Sequence, residues 1–173
     1  MTYDSLDDLT ERIIDLLFEN AEQVSLVAAK AAEAELKRRV FNDGKAADGS
    51  MIGSYSTKEG RFGESAFAVK GAFRPDAGKR SMLLTGGYAE LRRINGRQAD
   101  YVDLQYTGSL IRSITTRATG GAHAVVISNN GDADIARHNE ARFGKAIFAA
   151  GKTELEAIER AVIFEIERLL NQL

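Results

Sequence analysis

The run from residue 5 to residue 41 contains no glycine and no proline, and its apolar residues return close to helical period. Leu6, Leu9, Ile13, Leu16, Leu17, Val24, Val27, Ala31 and Leu36 carry that period. The ends agree with it. Ser5 can cap the first turn, Asp7, Asp8 and Glu11 sit where the helix dipole favours negative charge, and Lys37, Arg38 and Arg39 sit where it favours positive charge. "NDG" at 42–44 supplies the stop. A helix of ~36 residues extends about 54 Å at roughly 1.5 Å per residue, more than a domain of this size needs for its own core. Part of it is therefore expected to project. Its start, with Leu6, Leu9, Ile13, Ile14, Leu16, Leu17 and Phe18, is too apolar to stand alone. Either a neighbouring subunit or the C-terminal helix covers it, and Leu6, Leu9, Ile13 and Leu17 are the candidate subunit contacts.

Downstream of that helix the pattern changes. Residues 42–81 are rich in Gly, Ser, Lys and Phe, hold the only proline, Pro75, and follow neither the helical nor the strand period. They read as an extended loop with room for short strands, and loops this long are generally functional or ordered by assembly. A short helix follows at residues 88–94, ended by Asn95-Gly96, and an extended stretch at 101–104. "TGSLIRSI" starts a helical turn at Thr107 and passes into a strand at 113–118. Gly120-Gly121 turns the chain, and "AHAVVIS" returns as the second strand of an antiparallel hairpin. "NNGD" reads as a turn, "ADIARHNEARFG" as a short helix or turn, and "KAIFAA" as a short strand or extended passage. Thr153 with Glu156 three residues on has the form of a capping box, and Leu155, Ile158, Val162, Ile166, Leu169 and Leu173 give the closing helix an apolar face. The fold expected is a single α+β domain over 1–173: a long N-terminal helix to residue 41, the loop 42–81, and an α+β core over 82–173. In that core a small, mainly antiparallel sheet with a hairpin is covered by the C-terminal helix.

Composition bounds the chemistry. The chain has 173 residues, a hydrophobic content of 44% and no cysteine, so a core can form while disulfides, thiolate metal sites and cysteine nucleophiles are excluded. No apolar run approaches the roughly 20 residues that span a bilayer, and the acidic start "MTYDSLDDLTER" is unlike a signal peptide, so the expectation is a cytoplasmic protein without a membrane segment. The net charge of -2 is unevenly laid out: -5 over residues 1–60, +5 over 61–117 and -2 over 118–173. The basic middle suits either nucleic acid, an acidic protein surface or ordinary solvation.

Motifs with a chemical meaning are few. "HNE" at 138–140 has the H-x-E form of zinc deaminases, but that site needs cysteine ligands. His123 and His138 are the only histidines, neither lies in an H-E-x-x-H spacing, and no metal site or cofactor is expected. The three Thr-Gly pairs at 85–86, 107–108 and 119–120 lack the Lys-Ser or Lys-Thr of a phosphate loop and read as turns and helix starts. Ser109 and Ser113 lack a nucleophile elbow, so no catalytic residue is assigned and no enzyme is expected. Arg92, Arg93 and Arg97 with Tyr88, in the basic middle, are the candidate contacts to a partner protein or to a phosphate backbone; Arg112 and Arg117 extend that group.

The order of features resembles a known family. "YTGSLIRSI" is similar to the Leu-Thr-Gly-x-Leu-x-x-Ser-Ile element of tailed-phage virion-morphogenesis and tail-completion proteins. A leading helix and a "DG" segment, here "ADGSMIGSYS" at 47–56, precede that element in the family. A strand hairpin and a His-x-x-Gly type segment, here "RHNEARFGKAIFAAG" at 137–151, follow it before a terminal helix. "GGYAELRRINGRQADYVDL" at 86–104 is also similar to a variant among these proteins. The resemblance covers residues 35–173. The chain departs from the pattern in having "IFAAG" in place of a Pro-x-Arg-Pro-like run, and in its long helix and loop. The resemblance implies a non-enzymatic virion component at the head-to-tail joint, in a tail-completion, neck or terminator layer. Such a component assembles as part of a homo-oligomeric ring and links connector to tail tube or terminator, with contact to genomic DNA open. It would pass through the host cytoplasm during assembly and end in the virion. Under it, Thr107, Gly108, Leu110 and Ile114 form a structural joint, Gly108 allowing close backbone approach while the apolar side chains anchor a short helix to the hairpin. The alternative is a nucleic-acid-binding module that uses the basic middle segment.

Overall fold

The computed structural model describes residues 6–105 and 107–172. The expected Ser5 cap and Leu173 lie outside them. The long helix is present as α1 (Leu6–Glu19) and α2 (Ala21–Lys37), joined at Asn20. The hydrogen-bond ladder runs through the joint, Asn20 N donating to Leu16 O at 3.2 Å and Val24 N to Asn20 O at 3.0 Å. The Asn20 side chain also donates to Leu16 O, competing locally with the helix and loosening it there. At the other end α2 widens into a π-helical turn, Arg38–Asn42, closed by Asp43 N to Arg38 O at 3.1 Å. The wider turn points Arg39, Val40 and Phe41 all inward, three consecutive buried residues where an α-helix would bury one or two. Gly44 then turns the chain at φ 64°, against Tyr101 and Val102.

The loop after it holds one edge of a small sheet, β1 (Gly60–Gly63), paired antiparallel with β2 (Ser81–Leu84). Next come α3 (Gly87–Ile94), α4 (Ser109–Ser113), and the hairpin β3 (Ile114–Thr119) with β4 (Ala122–Ile127). α5 (Asn130–Phe143) and α6 (Lys152–Leu170) complete the described chain. The architecture is α+β, with two separate two-stranded antiparallel sheets where the sequence suggests one.

A two-stranded ribbon is marginal by itself, and β3–β4 is held by α2 lying across it. Outward-facing main-chain N–H groups on both strands, and one threonine hydroxyl, bond to that helix: Glu33 accepts from Thr116 N and Oγ1 at 2.7 and 2.8 Å, and Ser25 Oγ accepts from His123 N at 2.6 Å. α6 packs chiefly along α2, so the sheet is covered by a helix pair whose inner member is α2, not by the C-terminal helix alone. The core proper gathers Leu36, Val40, Phe41, Ile52, Val102, Leu110, Ile114 and Ile147 between the base of α2, the loop after it and the hairpin.

Three local readings change. "NNGD" is not a turn between elements but the start of α5, with the Asn129 side chain accepting from Gly131 N at 2.9 Å. Of the two readings of "KAIFAA", the strand is absent and the passage has no regular secondary structure. The cap of α6 lies at Gly151 and Glu154, not at Thr153 and Glu156: Glu154 accepts from Gly151 N at 2.8 Å, and Gly151 is required because a Cβ there would stand 2.3 Å from Ala47 O. That shift leaves Leu155 on the outer side of the helix, 59% exposed.

Candidate functional site

The Thr-Gly-Ser joint is built as a hinge point of the core. Gly108 takes the left-handed φ of 75° and precedes α4; the Thr107 Oγ1 accepts from Ser109 N at 3.3 Å. Leu110 and Ile114, at 6% and 0% exposure, enter the core from either side of the turn, while Ser109 Oγ donates to the buried Asp132 of α5 at 3.0 Å. Ser113 O accepts from Ser128 N at 2.7 Å, extending the hairpin ladder by one pair. The joint therefore ties α4, α5 and the hairpin together, and its two serines are used as struts.

Arg92 is not a surface residue. It projects from α3 into the interior at 2% exposure. Its Nη2 donates to both carboxylate oxygens of Asp103 at 2.8 and 2.9 Å, its Nε to Gln98 O at 2.6 Å and its Nη1 to Gln105 O at 2.8 Å. The Tyr55 ring lies 4.2 Å from the guanidinium, and Tyr88 meets that ring edge-on at 5.5 Å. The Tyr55 hydroxyl donates to Asp103 Oδ1 at 2.8 Å; burial, reinforced by this bond, pushes the phenol well above its ordinary pKa and keeps it a donor. With a carboxylate, two carbonyls and an aromatic face already engaged, Arg92 cannot serve as a phosphate contact. Leu104 holds a φ of 51°, unusual for a side chain of its size, between the Asp103 carboxylate and the Gln105 carbonyl that face Arg92. The other proposed contacts diverge: Arg93 is exposed and stands 3.5 Å from Asp100, Arg97 is half-buried and already interacts, and Tyr88 is half-buried in the aromatic pair.

A cleft of about 400 Å³ opens beside this network, lined by Tyr55, Tyr88, Arg92, Asn139, Arg142 and Phe143 among others. Sequence reasoning missed its two organising residues, Tyr55 and Asp103. They stand 48 positions apart, and no local spacing signals their meeting.

A second buried pair closes the opposite side. Arg39 Nε donates to Glu154 Oε1 at 2.6 Å, with Nη1 on Lys45 O and Nη2 on Ala149 O, both at 2.9 Å. It locks the base of α2 to the start of α6. Glu140 of the "HNE" run also has a structural partner, accepting from Ile147 N and Phe148 N at 2.8 and 2.9 Å, while His138 is exposed. Among the described residues there is no cluster of three or more His, Asp and Glu fit to hold a metal ion, and no helix is long and apolar enough to cross a membrane.

The candidate subunit contacts form a different kind of surface. α1 has no buried residue: Leu6 and Phe18 are 77% and 78% exposed, Ile14 48%, and Leu9, Ile13 and Leu17 half-buried. Glu35 meets Thr153 and Gln23 meets Glu165, so α2 and α6 run antiparallel. Continued at the same register, the last residue of α6, Leu170, lies opposite residue 18. On that register most of α1 runs past the end of α6, which it still touches near the joint.

No protein-family model, no curated protein and no solved structure matches this chain.

Proposed function

We propose that this protein is a structural component of a tailed-phage virion at the head-to-tail joint, assembling as part of a ring that links connector to tail, without catalysis. The observation that carries the reading is α1, a 14-residue helix with no buried side chain and three large apolar residues in solvent, extended beyond α6. Isolated large apolar residues are ordinary on a surface, but a helix whose apolar residues are at best half-buried is the part of the chain best suited to being held by something outside it. The order of motifs from "YTGSLIRSI" through the hairpin and "RHNEARFG" to the terminal helix supports the same reading by resemblance. The rest of the molecule suits a load-bearing piece: its two buried arginines are spent on internal carboxylates and carbonyls, which stiffens the body that presents α1.

The test is electron microscopy of lysates from a phage or prophage lacking the gene, complemented in parallel from a plasmid. DNA-filled heads and unattached tails, restored to whole particles by complementation, are expected. Normal infectious particles without the protein would refute the proposal.

With Arg92 internal, contact with nucleic acid would fall to the exposed cations of the basic middle, those of residues 58–80 together with Arg93, Arg112 and Arg117. Retention on DNA at low salt, lost steeply as salt rises, is the measurement for that alternative.

A further inference from the structure

Two exposed surfaces of this chain are opposite in charge and alike in carrying apolar side chains. On α1, at about 100° per residue, Leu6, Ile14 and Phe18 lie within an arc of roughly 120°, with Asp7 inside it and Glu11 and Asp15 along one side. The helix has five carboxylates (Asp7, Asp8, Glu11, Asp15, Glu19) against one guanidinium, Arg12, a net of -4. Asp7, Glu11, Asp15 and Glu19 enter no salt bridge among the described residues.

The opposite surface is the segment 58–80. It carries six cations against Glu59, Glu64 and Asp76, a net of +3. Arg61 is paired with Asp76 at 2.7 Å, while Lys58, Lys70, Arg74, Lys79 and Arg80 are exposed and in no salt bridge among the described residues. Val69 is 46% exposed, beside Phe67 and Phe73, whose rings pair at 5.3 Å. The segment is anchored rather than free: Asn95 at the end of α3 donates to Ala66 O and accepts from Ala68 N, both at 2.8 Å.

We propose that α1 of one copy seats on the 58–80 segment of the next, Ile14 and Phe18 against Val69 and the Phe67–Phe73 pair, with the α1 carboxylates facing Lys70, Arg74 and Lys79. Charge complementarity selects a second copy as occupant and selects its orientation. Pairing α1 with α1 would set acid against acid, whereas the acidic helix on the basic segment is attractive. A contact between two different surfaces of one chain that is not returned across a two-fold axis is head-to-tail, and repeats into a ring when its rotation closes. This inference rests on the ring reading above and names the surfaces that the ring would use.

The chain has no cysteine, so an introduced pair reports the contact without background. The full chain carrying Glu19→Cys and Ala68→Cys, which leave Phe18 and Val69 in place, is expected to give a ladder of disulfide-linked species beyond the dimer when oxidised at high concentration and low salt. Glu19→Cys alone should give none; a strong dimer from it would mean that α1 pairs with itself and would overturn the proposal, as would an absent ladder or one that stops at the dimer. In the double-cysteine background, the charge reversals Asp7→Lys/Glu11→Lys/Asp15→Lys and Lys70→Glu/Arg74→Glu/Lys79→Glu should each abolish the ladder with an unchanged melting temperature. Mixing the two reversed chains should restore it. If the Lys70 set instead removes retention on DNA while the ladder is absent, the basic segment belongs to nucleic acid. The two proposals fail separately: a ladder with normal particles in the deletion strain would remove the virion role and keep the self-contact, and separated heads and tails without a ladder would do the reverse.

Discussion

The two ends of one nearly continuous helix are treated oppositely by the fold. At the base of α2 the chain widens into a π turn, buries Arg39, Val40 and Phe41 together, and fixes Arg39 on Glu154 and two carbonyls. At the other end α1 has no fully buried residue and leaves Leu6, Ile14 and Phe18 in solvent. At the base one charged residue, Arg39, is buried beside two apolar ones, whereas at the tip three large apolar residues stay in solvent. Hydrophobicity alone explains neither the buried arginine nor the exposed tip, and the difference shows where the intramolecular partners stop. A buried guanidinium persists only when its hydrogen bonds are met, which the base provides, and an exposed apolar face is where the proposed neighbouring copy would sit.

Substitutions test that contrast. Ile114→Asp would place a charge at a fully enclosed core position, so no cooperative thermal transition is expected by circular dichroism; a soluble variant that melts cooperatively would refute the role of the joint. Arg92→Ala leaves Asp103 buried and unpaired, and a loss of about 3–5 kcal/mol is expected in urea unfolding, the range seen when one partner of a buried pair is removed. A loss below 1 kcal/mol would mean that the network is solvated. A smaller effect follows from Glu33, where burial works against the charged form but hydrogen bonds from Lys37 and Thr116 outweigh it and hold the carboxyl below its usual range. Its pKa being lower folded than unfolded, its contribution is complete above the unfolded value of about 4.3 and vanishes as pH falls through the folded one. Glu33→Gln should therefore lower stability near neutral pH by about 1 kcal/mol and flatten the fall in melting temperature between pH 5 and 3, both estimates resting on the modest net value of such bonds. The smallest change in stability belongs to the tip. Phe18→Ser should alter it by no more than about 0.5 kcal/mol, as for surface positions generally, while abolishing the particle-joining activity in complementation. A large destabilisation there would place α1 inside the fold and erase the comparison.

Much of the architecture is legible in local sequence. The long helix, its stop at Gly44, the hairpin at Gly120-Gly121 and the closing helix all follow from period and from glycine's access to positive φ, which act over a few residues. The π turn is not legible, because its benefit is the burial of Arg39 against Glu154, 115 positions away. Arg92 was misplaced for the same reason. Its neighbours Arg93 and Arg97 carry the same charge in the same basic stretch, and only Asp103 and Tyr55, brought under α3 by the loop, separate an internal arginine from an external one. The cap of α6 moved to Gly151 because the backbone of Ala47 leaves no room for a side chain there.

By itself, then, the sequence determined which segments are helical, where the chain turns, and that the first helix carries more apolar surface than a small domain absorbs, since these depend on neighbours within one or two turns. The tertiary structure decided which arginines are spent inside, how α2 holds the edges of the hairpin, and which apolar face of α1 is left without a partner. Those outcomes depend on groups tens of residues apart meeting at hydrogen-bond distance, and no periodicity in a single chain records such meetings.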